Sequence, residues 1–140
     1  MYERILIPVD GSACGDAAAL EGARLARALG SKVTVLFALD LLALARDGFV
    51  TMAEFERELR AKGEREIERV KSLVVNEGVE AEGLVVDGAP LEEIVRASER
   101  CDLVVMGSHG RGFVKRMLVG SVTQAVLHHV KRPVLVVPPK

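Results

Sequence analysis

Residues 4–12 read Arg4-Ile5-Leu6-Ile7-Pro8-Val9-Asp10-Gly11-Ser12. The run up to Val9 is short, apolar and partly β-branched, and Asp10-Gly11 breaks it. Ser12 then stands where a helix N-cap belongs, ahead of Ala17, Leu20, Ala23, Leu25 and Leu29 at roughly helical spacing. Gly30 follows as a fitting C′ stop. A strand that hands the chain directly to a helix is the opening of a βαβ unit, and the rest of the chain repeats the move.

Lys32–Leu39 is nearly all apolar, as expected of a strand covered on both faces. Residues 40–50 are apolar through Leu41, Leu42, Leu44 and Phe49 but show no clean period, and Gly48 interrupts them. The capping box Thr51-Met52-Ala53-Glu54 then predicts a long helix to about residue 77, ended by Gly78. Its stripe is Met52, Phe55, Leu59, Ile67, Val70 and Val74. Residues 81–86 read as a third strand. Asp87-Gly88-Ala89-Pro90 turns into a helix whose first turn carries Glu92 and Glu93, with Leu91, Ile94 and Val95 toward the sheet. Residues 102–106 form a fourth strand. After a glycine-rich loop, Ser121 and Gln124 are spaced as a second capping box, and Val134–Val137 is the last strand. Each crossover has room for a helix, so right-handed parallel connections are expected. The predicted fold is a single doubly wound α/β domain over residues 1–140. Its five-stranded parallel sheet has order 3-2-1-4-5, with helices on both faces.

The 140 residues carry 19 basic and 20 acidic side chains, a net charge of -1, which provides no global field for nucleic acid or an anionic membrane. No apolar run approaches the roughly 20 residues of a spanning helix. The N-terminal residues run straight into a strand pattern, so no signal peptide is expected and the cytoplasm is the expected compartment. Cys14 and Cys101 are far apart and in no metal or redox spacing, which fits buried reduced thiols.

Ligands of an open parallel sheet bind beyond the carboxyl ends of its strands, where the strand order reverses. Two loops fall at such ends: Pro8-Val9-Asp10-Gly11-Ser12, and Met106-Gly107-Ser108-His109-Gly110-Arg111-Gly112. In the second, Gly107, Gly110 and Gly112 let backbone amides approach an anion and take up positive φ. Gly120 and Ser121 open a helix whose free amides favour negative charge, and Ser121 adds a hydroxyl donor. Arg111, Lys115 and Arg116 put cations between the glycines. The plain alternative is a glycine-rich turn with an ordinary N-cap at Ser121. Asp10 suits nucleoside contact or simple capping of the next helix. His109 suits a phosphate, a metal-bound water or a solvent-exposed loop position. His128 and His129, beside Lys131 and Arg132, complement the negative end of their helix.

Gly107-x2-Gly110-x9-Gly120-Ser121 resembles the G-x2-G-x9-G-[ST] signature of ATP-binding universal stress proteins, and the likeness runs the whole length of the chain. Ile5 to Ser12, Met106 to Gly110 and Pro133 to Val137 carry it too. The resemblance implies that ATP is bound, with Asp10 touching the nucleoside and Ala38 lining the adenine pocket beside Pro8, Val9 and Met106. Gly107, Gly110, Gly120, Ser121 and Val122 would surround ribose and phosphates, with Arg111 among the cofactor-binding residues. The family position at Ala38 is often a bulkier valine, which implies a looser wall here. Residues 40–53 resemble an elongated version of a segment seen in some members. The family commonly dimerises through the strand matching Val134–Val137, so a homodimer is implied, with a protein partner unknown.

The chain lacks a P-loop, a G-x-S-x-G elbow and an H-E-x-x-H pair. It also lacks the H-x-G-H motif and serine-glycine-glycine loop of adenylyl-transferring relatives. Magnesium or manganese would ride on the phosphates, helped at most by a carboxylate such as Asp10. Asp10 and His109 are the only candidate general bases, and neither has an orienting partner evident in the sequence. Slow or negligible hydrolysis is therefore expected, with a nucleotide-dependent regulator, a slow ATPase or phosphotransferase, and a nucleotide-free scaffold as the readings. Val134–Val137 is an apolar strand expected at the sheet edge, which a twin strand would cover or Pro133, Pro138 and Pro139 would blunt.

Overall fold

A computed structural model describes residues 1–41, 52–110 and 118–139. In chain order the elements are β1 (Arg4–Val9), α1 (Ala13–Leu29), β2 (Lys32–Leu39), α2 (Met52–Val75) and β3 (Ala81–Asp87). Then come α3 (Pro90–Ser98), β4 (Leu103–Gly107), α4 (Ser121–His129) and β5 (Val134–Val137). The strands form one five-stranded sheet in the order β3-β2-β1-β4-β5, parallel at every pairing, as the alternation of strand and helix predicts.

The apolar runs are continuous because the central strands are buried on both faces. In β1, Ile5, Ile7 and Val9 join one core with Val33, Val35 and Phe37 of β2 and Leu103 and Val105 of β4. Alanines of α1 and Ile67, Val70 and Val74 of α2 close that face. Leu6 of β1 turns the other way with Leu36, Val104 and Met106, under Ile94 of α3 and Val126 of α4. The alternation is the period of two of a pleated strand. Small residues let α1 lie close: a Cβ on Gly22 would sit 2.6 Å from Ile7 Cδ1. Arg69 of α2 forks onto the Asp16 carboxylate of α1 at 2.9 and 2.7 Å, tying the two helices of this face together at the surface.

Local signals set most boundaries. The Ser12 side chain caps α1 by accepting from the Gly15 N–H, and Gly30 closes it in the left-handed conformation at φ 73°. Pro90 stands in the first turn of α3, followed by Glu92 and Glu93; Leu91 and Ile94 pack on the core, while Val95 is only half-buried. Three expectations need correction. Helix α2 ends at Val75 rather than near residue 77, with Asn76, Glu77 and Gly78 in a turn and Gly78 at φ 84°. Strand β4 begins at Leu103 rather than 102; Asp102 precedes it, with its carboxylate accepting from the Glu3 and Arg4 N–H groups and its own N–H donating to the Arg4 carbonyl. Helix α4 has Gly120, not Ser121, as its N-cap, and no side chain caps it, so the second capping box does not form. The start is set by a tertiary contact, since the Gly120 N–H donates to the Ser108 carbonyl at 2.6 Å. Thr51 and most of the segment 40–53 lie outside the described residues.

Candidate functional site

Helices α1 and α2 cover one face of the sheet and α3 and α4 the other. The direction of winding reverses between β1 and β4, and the carboxyl ends of these strands diverge into two loops there. A cleft of about 360 Å³ opens at this point. It is where an open parallel sheet places its ligands.

The cleft has an apolar end and a polar end. Leu36 and Ala38, two residues apart on one face of β2, line the apolar end with Pro8, Val9 and Met106. Pro90 and Ile94 of α3 complete that wall. The polar end comprises Asp10 and Ser12 after β1, Gly107, His109 and Gly110 after β4, and Gly120, Ser121, Val122 and Thr123 at the start of α4. An apolar slot leading to a helix N-terminus suits a ligand with a flat apolar part and an anionic tail.

Of the residues singled out from the sequence, Pro8, Val9, Asp10, Ala38, Met106, Gly107, Gly110, Gly120, Ser121 and Val122 all line this one cleft. Arg111, with Gly112, Lys115 and Arg116, lies outside the described residues. Sequence reasoning missed Leu36, whose signal was its period-two spacing from Ala38. It also missed Gly15 in the first turn of α1, Thr123 in that of α4, and Pro90 and Ile94 at the start of α3. These helix starts follow the carboxyl ends of β1, β3 and β4.

Gly107, Gly110 and Gly120 are needed for space, not for positive φ. Positive φ falls instead at Gly11, Gly30, Gly78 and Gly88 among the described glycines. A Cβ on Gly107 would lie 2.8 Å from the Cys14 carbonyl oxygen and 2.9 Å from its carbonyl carbon. At Gly110 it would run into Asp10 Oδ2. Gly120 has an ordinary φ of −70°. A Cβ there would stand 3.3 Å from both His109 Cα and the Ser108 carbonyl oxygen. The three glycines are where β4, α1 and α4 press on one another at the bottom of the cleft.

Polar groups of the loop are held in place. Asp10 Oδ1 accepts from the Ser12 N–H at 3.0 Å, turning the chain into α1. Thr123, itself buried, donates its hydroxyl to the Gly107 carbonyl at 2.8 Å. His109 is only 7% exposed, which overturns the solvent-exposed loop position, and its Nδ1 lies 3.0 Å from Ser108 Oγ. Ser108 is therefore a partner of His109 that the sequence did not reveal. His128 and His129 sit in the last turn of α4, as expected, with His129 Nδ1 2.7 Å from the Ala125 carbonyl oxygen. Cys14 and Cys101 are buried free thiols, and burial, aided by the Asp102 charge, pushes the Cys101 thiol above its usual pKa. Among the described residues no cluster of three His, Cys, Asp or Glu side chains is arranged for a metal ion, and no helix is long and apolar enough to cross a membrane.

Comparison with known proteins agrees with this geometry. A model described as "Universal stress protein family" matches residues 1–138. Universal stress protein MJ0531 of Methanocaldococcus jannaschii is 31% identical over 143 residues, covering 98% of this chain and 82% of its own length. Universal stress protein MJ0577 of the same organism is 32% identical over 154 residues, covering 98% of this chain and 95% of its own. A solved structure of MJ0577, the subject of a structure-based assignment of biochemical function, superposes with a TM-score of 0.85 at 30% identity, covering 100% of this chain and 98% of that one.

Proposed function

The chain belongs to the universal stress protein family, and from that premise we propose that it is an ATP-binding regulator whose bound state, rather than turnover, is its output. The observation that carries this reading is convergence. Gly107, Gly110, Gly120 and Ser121, the G-x2-G-x9-G-[ST] positions, meet Ala38 and Asp10 around one cleft. Its apolar end accepts an adenine between the β2 wall and Met106, with Asp10 beside the ribose. The phosphates extend toward the amides of α4 and the hydroxyl of Ser121, where the helix N-terminus favours negative charge. Arg111 adds a cation to the phosphates. Magnesium or manganese travels on the triphosphate, since the described cleft residues supply one carboxylate, Asp10, and no ligand cluster.

The active unit is a homodimer joined along β5, which lies at the sheet edge with Leu135 39% exposed. A bare apolar edge recruits a second strand, and an identical one across a two-fold axis closes it. The protein works in the cytoplasm, a compartment that suits two buried free thiols, and signals through a protein partner.

Calorimetric titration with ATP, adenosine and inorganic tripolyphosphate tests the site. ATP is expected to bind more tightly than either fragment, and Gly120→Val, which loads the tightest glycine contact between loop and α4, is expected to abolish binding. Equal affinity of the wild type and Gly120→Val for ATP contradicts the assignment.

A further inference from the structure

Helix α4 buries two residues, Thr123 and Val126, about one turn apart on its inward face. Val126 belongs to the core with Leu6, Leu36 and Met106. An apolar residue at 123 would extend that stripe. The chain has a threonine there instead, 2% exposed, at the end of the helix that opens on the cleft. Its hydroxyl donates to the Gly107 carbonyl at 2.8 Å, across 16 residues of sequence. Gly107 is a firm anchor. It is the last residue of β4 and pairs with Val137 of β5, and the N–H of the next residue, Ser108, donates to the Val137 carbonyl at 3.0 Å. The Ser108 carbonyl in turn accepts from the Gly120 N–H at 2.6 Å.

Consecutive carbonyls at one strand end therefore hold the N-cap of α4 and a residue nearly a turn further on. A single bond leaves a helix free to pivot about it, whereas two set its tilt and its height above the sheet. No side chain caps α4, and its first three residues line the cleft with Gly120. First-turn amides have no acceptor inside their own helix, so the direction in which α4 starts is the direction in which those donors are offered. We propose that Thr123 is a positioning residue for the phosphate end of the cleft. It acts through the Gly107 carbonyl, and the phosphate contacts fall to the α4 amides that it aims. This rests on the cleft being a nucleotide site and adds to it a determinant of phosphate affinity separate from the base pocket. The pull of a helix N-terminus on an anion falls off within the first turn, so a small change of tilt is felt by phosphates and not by a base at the apolar end.

Thr123→Val keeps the shape of the side chain and removes the donor. Calorimetric Kd values for adenosine, AMP, ADP and ATP, with urea unfolding of the same samples, read the consequence. The variant is expected to bind ATP about 10-fold more weakly than the wild type, the scale of an anion at a partly buried helix N-terminus. The loss is expected to shrink through ADP and AMP and to vanish for adenosine. Thr123→Ser, which restores the donor, is expected to bind all four as the wild type does, even where the missing methyl lowers its stability. Thr123→Ala set against Thr123→Ser, a pair differing by the hydroxyl alone, decides the matter if Thr123→Val does not fold. A buried threonine that serves stability alone moves the unfolding curve without this dependence on phosphate number. Equal losses for ATP and adenosine, no loss for ATP, or a serine variant as weak as the valine one overturns the proposal and leaves the nucleotide site standing. Wild-type protein that binds none of the four ligands removes both.

Discussion

Gly107 and Gly110 differ in what a methyl group would meet. At Gly107 it meets the Cys14 backbone, which cannot step aside, so Gly107→Ala forces β4 and α1 apart. Overpacking of this kind costs about 1–3 kcal/mol, and urea unfolding is expected to show a loss in that range. At Gly110 the obstacle is the end of the Asp10 side chain. Gly110→Ala is therefore expected to keep most of the stability while weakening ATP binding through a displaced carboxylate, which the same unfolding curve and a titration separate. The positions of these glycines were legible in the sequence, but their reason was not: spacing alone suggested positive φ, whereas contact with Cys14 and Asp10 is what excludes a side chain. Cys101 supplies a check on chemistry. Burial raises its pKa, so the neutral thiol dominates at neutral pH and the nucleophilic thiolate is scarcer than at an ordinary cysteine. Alkylation of Cys101 in the native protein is expected to be far slower than in urea, and equal rates contradict that burial.

At the scale of elements, the sequence was most readable where structure is local. Ser12 and Gly30 bracket α1 with side-chain and left-handed caps, and both signals lie within a turn of the helix they end. Ser12→Ala is expected to cost about 0.5–1 kcal/mol, toward the low end for an N-cap because the Ser12–Gly15 contact is long at 3.4 Å. The start of α4 was less readable because a distant residue decides it. The Ser108 carbonyl captures the Gly120 N–H and moves the cap one residue ahead of the serine that propensity favours. His109 is buried in the same loop, a burial that leaves no trace in the polarity of the residues around it. Strand β4 also starts one residue later than expected, and there Asp102 bonds the start of the adjacent β1.

For the whole molecule, the continuous apolar strand runs and the helical stripes between them determined the architecture, because five strands with helix-length crossovers leave few ways to bury both faces. The ligand end followed from the architecture, since parallel strands send their carboxyl ends to one side. Assembly lies further from the sequence pattern. The β5 edge is exposed at Leu135, so Leu135→Lys is expected to convert a dimer to a monomer in light scattering while ATP binding persists. A wild-type monomer at micromolar concentration contradicts the edge-to-edge dimer. The central claim is that the cleft between β1 and β4 holds ATP as the resident ligand. Denaturing the purified protein and separating the released nucleotide by ion exchange, with Gly120→Val in parallel, tests it most directly. One ATP per chain from the wild type and none from Gly120→Val is the expected result; no nucleotide from either, followed by no uptake of added ATP with magnesium, contradicts it.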